Sequence, residues 1–423
     1  MQSLEVSAAD IKTNLLEKNS GGQVAKSTHN FLTILQSDSY FGGVRFNVIR
    51  NNAEIMSPTG TRAWEDADEA AARTYIESYY GLHANDKFND ALLLFFRYRR
   101  YNPIKDMIEA IQWDGENRCE HFLHTYGNTE DTPYTREVSR LIFAGGIHRL
   151  YRPGCKFDDV PIFIGAQQGE GKSSLVRFLA LNDTYFGELG CFEGKESIEQ
   201  LSGKWIMEIP EMLALTKTKE VEASKAYITR AIDQYRKPYD RNVSELPRRC
   251  IFIGTSNNVT PLRDVYNRRY YPVTLHTKGT ELFKKETEIR DYIAQCWAEA
   301  RERMKGGSMQ CFAREELIPL CRQKQDEARQ DDWREGAIET YLADKAVGDF
   351  VCIRELTNKA LAFNGMGHDP SVIESKDIGM IMARFPEWER TTTHRFPEYG
   401  LQRAWKKMRM GAVNEADAGD LPF

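Results

Sequence analysis

The sequence predicts an α/β P-loop core, preceded by a small α+β region and a helical segment and followed by a winged-helix-like unit. Three observations predict it. Residues 160–176, VPIFIGAQQGEGKSSLV, run from an apolar strand through a glycine-rich turn into an apolar-periodic helix. Residues 205–209, WIMEI, repeat the buried-strand pattern and end among carboxylates. Beyond a charged stretch, three amphipathic helical segments are followed by strand-like runs, the element order of a winged helix.

Composition bounds the rest. With 423 residues, 41% of them hydrophobic, the chain has room for two or three domains and can bury a sizeable core. The net charge of −5 creates no global basic field, so nucleic-acid contact has to come from local patches. The eight cysteines are scattered without a CxxC pair, which fits a reducing cytoplasm better than a disulfide framework. The N-terminus, MQSLEVSAADIKTNLLEKNSGG, carries acids where a signal peptide needs an apolar core, and no run reaches the length of a membrane span. A cytoplasmic location without membrane contact is expected.

Residues 1–30 hold one short helical segment and a Gly-Gly break, and are expected to be poorly anchored. Val44 to Ile55 alternates around an Asn-Asn step and predicts a hairpin, with helices following at Asp66 to Tyr80 and Asp86 to Tyr98. Residues 1–100 thus read as a small α+β region. The cluster Arg97-Tyr98-Arg99-Arg100-Tyr101 has two readings: a phosphate contact with aromatic interleaving, or a solvated helix end whose arginines snorkel. Residues 101–155 continue as a helical collar, with helices at Ile104 to Ile111, Cys119 to Tyr126 and Tyr134 to Tyr151. His121 and His124 share a helix face near Cys119, but no second ligand pair lies close in sequence, so zinc is not expected.

The nucleotide core is expected over residues 156–305. Small residues let backbone N–H groups curl around phosphates at a helix N-terminus, where the dipole already favours an anion. Gly165, Gly169, Glu170 and Gly171 supply that turn, Lys172 would reach the β and γ phosphates, and Ser173 would put its hydroxyl on Mg²⁺, with Ser174 a weaker substitute. The pattern predicts a nucleoside triphosphate. Ala166 stands where its first glycine belongs.

The strand Trp205 to Ile209 brings Glu208 and Glu211. One acid would hold the Mg²⁺ shell and the other would orient or deprotonate the attacking water; spacing does not assign which. A polar helix is expected from Lys217 to Asp233, then a basic, turn-rich hairpin able to project Arg236, Lys237 and Arg241 away from the sheet. Cys250 to Ile253 is another buried strand, ending on Thr255, Ser256 and Asn257; an amide at that tip could bond the γ-phosphate or the water. Arg268 and Arg269 precede the next strand, and either could reach the γ-phosphate of a neighbouring subunit as a finger. Glu281 to Lys305 reads as one long helix.

Residues 306–332 are charged and polar, and read as a linker. Within 333–412, helices at Trp333 to Asp344, Ile353 to Ala362 and Ile373 to Phe385 precede strand-like Trp388 to Thr392 and the basic run Tyr399 to Met410. Such a winged-helix-like unit could enter a DNA groove with Lys376, Arg403, Lys406 and Lys407 on phosphates; a protein-interaction role fits the same pattern. The acidic stretch 413–423 is expected to be disordered.

Taken in order, G-x-x-x-G-x-G-K-S, K-W-I-M-E-I-P-E, D-Q-Y-R-K-P-Y-D-R, R-C-I-F-I-G-T-S-N and N-R-R-Y-Y-P-V, preceded by Y-N-P-I and W-D-G, resemble the virulence-associated E family of phages, prophages and pathogenicity islands. The likeness spans about residues 100–300. That family is similar to superfamily 3 helicases, AAA+-type ATPases that commonly form hexameric rings on DNA and act in the replication of viruses and mobile elements. The resemblance implies an ATP-driven replicative helicase that uses Mg²⁺, assembles as a homo-oligomer, with a hexamer favoured, and holds single-stranded DNA in its pore. It places Lys172 and Ser173 in Walker A, Glu208 and Glu211 in Walker B, and Asn257 in motif C, with Arg269 or its neighbour Arg268 as the finger. The hairpin around Lys237 and Arg241 matches the region that contacts DNA. Two positions depart from the pattern: Ala166 at the first glycine, and a pair of acids, Glu208 and Glu211, that are not adjacent. The segment before residue 100 is short and lacks a carboxylate cluster, so no primase activity is expected. An ATP-gated DNA-binding initiator or regulator that does not separate strands is the alternative expectation.

Overall fold

The computed structural model describes residues 8–165, 169–211, 218–235, 244–258, 268–328, 333–362 and 366–409. They divide into two compact units, the first running to Ala328 and the second starting at Trp333. No helix among the described residues is long and apolar enough to cross a membrane.

The start of the first unit corrects one expectation. Residues 8–30 are anchored: Ile11 and Leu16 are buried, and the buried Asn30 side chain accepts from Glu17 N at 2.9 Å and donates to Glu17 O and Ala25 O. A single amide thus satisfies the polar groups of a loop that composition alone marks as loose. Strands β1 (Val44–Asn47), β2 (Asn52–Ser57), β3 (Gly60–Ala63) and β4 (Arg100–Tyr101) form a sheet in the order β3-β2-β1-β4. The helices Asp66–Tyr80 and Asn85–Tyr98 bury Ile76, Tyr80, Phe88 and Phe95 in one apolar cluster with Phe31 and Phe41.

The collar helices run Pro103–Glu109, Phe122–Gly127 and Pro133–Tyr151. The last begins with Pro133 behind a Thr132 cap that accepts from Thr135 N at 3.2 Å, and it is buried nearly all round. At Gly146 an added Cβ would lie 2.4 Å from the Trp297 ring, so only glycine lets this helix pass so close. The Gly146 carbonyl there accepts from Trp205 Nε1 at 3.1 Å.

A parallel sheet is the centre of the unit. Its strands are β5 (Val160–Ile164), β6 (Phe186–Glu188), β7 (Ile206–Ile209), β10 (Ile251–Ser256) and β11 (Tyr270–Thr274), while β8 (Ile232–Tyr235) and β9 (Ser244–Pro247) form a separate antiparallel hairpin. The order is β11-β5-β10-β7-β6, and every neighbouring pair is parallel. Parallel strands are covered on both faces, which explains their unbroken apolar runs. It also puts all their C-terminal ends on one edge, where loops from different parts of the chain meet.

Three expected elements differ. The helix read as Lys217 to Asp233 is Thr218–Thr229, because Asp233 lies on β8 and takes a two-point ion pair from Arg248, at 2.6 and 2.9 Å. The helix read as Glu281 to Lys305 is broken at Lys285 into Gly279–Lys284 and Glu286–Lys305. Residues 306–328, read as part of a linker, contain the helix Ile318–Glu327 and pack on the first unit. There Arg314 Nε meets the buried Glu137 at 2.6 Å and Gln325 Nε2 reaches Tyr270 O at 2.9 Å. Arg314 and Gln325 thus tie the segment to distant partners, while Glu315, Glu316, Arg322 and Asp326 remain exposed.

The second unit has helices Trp333–Ala343 and Val372–Met382, and between them a helical turn, Ile353–Glu355, that continues as Leu356–Ala360. Strands β12 (Phe350–Cys352), β13 (Trp388–Phe396) and β14 (Gly400–Lys407) pair antiparallel in the order β12-β14-β13. Ile338, Leu356, Ile378, Trp388 and Trp405 share its core.

Candidate functional site

β5 ends at Ile164, and the chain passes through Gly165 toward Gly169, Glu170 and Gly171. Residues 166–168, which include Ala166, lie outside the described residues. Gly169 and Gly171 both hold positive φ, +84° and +82°, a conformation open to glycine and strained for other residues. Gly171 caps the helix Lys172–Leu179. From the other side of the loop, Gly279 N donates to Gly169 O at 2.9 Å and Thr277 Oγ1 donates to Glu170 O. The segment 277–279 thus grips the loop, a role the sequence reading missed because only a polar residue beside a glycine signals it.

The helix start delivers Lys172 and Ser173 to the edge of the sheet. Lys172 is buried, and its Nζ donates to Asn257 Oδ1 at 2.8 Å and lies 3.6 Å from Glu170 Oε2. Ser173 Oγ donates to Glu208 Oε1 at 2.6 Å, and Thr255 Oγ1 donates to the same oxygen at 2.6 Å. Glu208 is 1% exposed, and its second oxygen, Oε2, is buried without a hydrogen-bond partner. Burial raises its pKa above the ordinary carboxylate value, against the pull of the two hydroxyl donors. A buried acid with one oxygen held by hydroxyls and the other bare has the donor set and the unmet charge that suit a hard divalent cation.

Glu211 sits just past β7 at φ +47°. Its carboxylate accepts from the backbone N of Asn257 at 3.3 Å and from Asn257 Nδ2. A continuous polar line therefore runs Lys172, Asn257, Glu211, beside the separate cluster Ser173, Glu208, Thr255. The two acids that spacing left equivalent have different surroundings: Glu208 is inside the sheet and Glu211 at its rim. Thr255 joins the site although the sequence places it only at a strand tip; its only signal there is a hydroxyl within a buried run. Ser174 is half-buried beside Ser173 and takes no part in this network.

Arg268 and Arg269 do not join this cluster in one chain. Arg268 and Arg269 precede β11, whose Tyr270 is in register with Val160 at the start of β5, so they lie at the opposite end of the sheet. Arg268 is exposed, and Arg269 Nε pairs with Asp158 at 3.1 Å. The hairpin strands β8 and β9 pair from Ile232↔Pro247 to Tyr235↔Ser244, and Arg236, Lys237 and Arg241 lie outside the described residues. In the second unit Lys376 falls within the helix Val372–Met382, and Arg403 is exposed on β14. Lys406 Nζ lies 5.6 Å from the Phe350 ring centre, and Lys407 Nζ donates to Leu342 O and Lys345 O. Lys407 thus satisfies carbonyls at and beyond a helix C-terminus instead of pointing free for a phosphate.

A family model described as a virulence-associated protein E-like domain matches residues 108–331. Among solved structures, the apo structure of the NrS-1 C-terminal region is similar, with a TM-score of 0.50 at 13% identity, covering 90% of this chain and 100% of that one. An A-form apo structure of the same region has a TM-score of 0.48 at 14% identity, covering 89% and 99%. At such identity the likeness is one of fold, a mixed α/β architecture with a parallel sheet. No curated protein sequence matches the chain.

Proposed function

The chain belongs to the virulence-associated protein E-like family, and from that premise we propose that it is an ATP-hydrolysing motor acting on DNA in the replication of a phage or other mobile element. The observation that carries the reading is the convergence of Lys172, Ser173, Glu208 and Asn257 at the C-terminal edge of three adjacent parallel strands, behind a loop with two positive-φ glycines. In this reading residues 165–174 form a phosphate-binding loop of superfamily 3 type. Ser173 and Glu208 would hold Mg²⁺, which would supply neutralising charge to the phosphates. Glu211, aligned by Asn257, orients the attacking water and accepts its proton. A γ-phosphate accepting from Lys172 Nζ would compete with Asn257 Oδ1, so that nucleotide state would reset the Asn257–Glu211 contact. Arg268, free of the Asp158 pair that holds Arg269, is the better finger for a neighbouring subunit of a ring, favoured as a hexamer. The hairpin cations Lys237 and Arg241 would grip single-stranded DNA in the pore. The second unit, as a winged helix, would read duplex DNA through Arg403 and its neighbours.

The test is ATP turnover with and without single-stranded DNA, for the parent chain, Lys172→Ala, and Lys237→Ala/Arg241→Ala. Stimulation by DNA, its loss in the hairpin variant with basal turnover kept, and abolition in Lys172→Ala are expected. DNA-independent turnover would sink the motor reading. DNA stimulation without strand displacement on a forked duplex would favour the ATP-gated initiator instead.

A further inference from the structure

The first unit contains a cavity of about 840 Å³ far from the Lys172 cluster, between the N-terminal sheet and the entry ends of the parallel strands. Ile206 of β7 is in register with Ile251 of β10, so Lys204 and Arg249, each two residues earlier, project from neighbouring strand starts. The Lys172 cluster follows the strand ends. At about 3.3 Å per residue, the strands keep the two places on the order of 15 Å apart. The opposite wall comes from the N-terminal sheet. Arg100 of β4 lies over the ring of Phe46 of β1, 5.5 Å from its centre, and Arg50 sits in the turn after β1. This turn is latched to the core by Gly203 N donating to Ile49 O at 3.1 Å and Ser202 Oγ donating to Arg50 O at 3.3 Å.

Five cations therefore line one concave surface, four of them besides the ion-paired Arg248, and its acids are mostly spoken for. Asp233 is taken by Arg248, Glu199 pairs with Lys195 at 3.3 Å, and Glu245 is the exposed acid of the rim. Arg50 shares Glu54 at 3.3 Å, while Arg100 and Arg249 have no carboxylate partner among the described residues. Burial lowers the pKa of Arg249, and the nearby Arg100 lowers it further; burial and Arg50 do the same to Lys204. Like charges gathered on one wall with few counterions are unfavourable until an anion joins them.

We infer that this cavity is a second nucleic-acid site, holding a short stretch of single-stranded DNA or RNA by its phosphates. Arg50, Lys204, Arg100 and Arg249 share the cavity lining with the apolar Ile49, Leu201 and Phe46. Cations and apolar side chains on one concave wall suit anions joined by flat, partly apolar bodies, as in successive nucleotides, and a charged groove with apolar platforms is how unpaired strands are held. The volume is that of a small-ligand pocket and excludes the cylinder of a duplex. The alternative phosphate reading of Arg97–Tyr101 thus finds its place in Arg100, while Arg97 and Tyr98 are exposed at the helix end. The site does not depend on the ATPase reading.

The test is fluorescence anisotropy of a labelled oligothymidylate, in a Lys237→Ala/Arg241→Ala background so that the hairpin does not mask the cavity. Arg100→Glu and Arg249→Gln should each weaken binding about tenfold and flatten the dependence of log K on log salt by roughly 0.7 per lost phosphate contact. Basal ATP turnover without DNA should stay at the parent level, which separates this site from the proposed motor chemistry. Arg100 is exposed, so Arg100→Glu decides the matter if Arg249→Gln fails to fold. Unchanged affinity in a folded Arg100→Glu protein overturns the assignment. Displacement of the oligonucleotide by free ATP from a Lys172→Ala protein also overturns it, in favour of a mononucleotide pocket.

Discussion

Ser173 Oγ and Glu208 Oε1 lie 2.6 Å apart, although 35 residues separate them in the chain. The contact exists because the helix after β5 starts beside the end of β7, and it leaves Glu208 Oε2 buried and bare.

Glu208→Gln keeps the shape and removes the charge. Turnover should fall about a hundredfold or more, the scale of losing a preorganised electrostatic contact in a site closed to water. Thermal stability without nucleotide should hold or rise, since a neutral amide is easier to bury than an unpaired carboxylate. Steady-state ATPase rates and melting curves check both; a variant with full turnover would remove Glu208 from the site.

Gly171→Ala and Gly169→Ala separate backbone strain from crowding. Both place a Cβ at positive φ, but at Gly171 it would also stand 2.6 Å from Leu282 Cδ1 and 2.9 Å from Gly279 Cα, whereas at Gly169 the space is open. Gly169→Ala should cost about 1 kcal/mol and Gly171→Ala about 2–3 kcal/mol. Denaturant midpoints measure the difference, and equal losses would mean that crowding is relieved.

Burial, with help from Asp158, pushes the Asp159 carboxyl from 3.8 up to about 7. The folded chain then binds this proton more tightly than the unfolded chain, so stability from this group is present at low pH and lost as pH rises through that window. Asp159→Asn should melt higher than the parent above pH 7, with the gap shrinking as pH falls toward 3.8. Parallel melting profiles across that range would refute the shift.

Arg248 and Asp233 are each 3% exposed and bond at two points. Removing one partner strands the other charge, so Arg248→Met and Asp233→Leu should each destabilise by about 3–5 kcal/mol. The double variant should recover much of that loss, because no buried charge remains. Chemical denaturation of the three proteins gives the coupling, and additive losses would contradict it.

Local pattern determined much of this chain. The helix Asp66–Tyr80 is legible at both ends, since Glu65 N donates to Asp68 Oδ2 at 2.9 Å and Gly81 closes it at φ +72°. The strand, turn and helix over 160–176 and the buried runs of β7 and β10 are legible for the same reason: apolar periodicity and glycine are properties of neighbouring residues. The sequence by itself therefore determined that Lys172, Ser173, Glu208, Glu211 and Asn257 stand near strand ends. Tertiary packing alone settled that Glu208 faces Ser173 while Glu211 faces Asn257, that Asp233 leaves its helix for Arg248, that Lys407 turns to helix carbonyls, and that Arg100 and Arg249 line one cavity. Each of those depends on the register and packing of segments far apart in the chain, and periodicity carries no information about which distant side chain will be met.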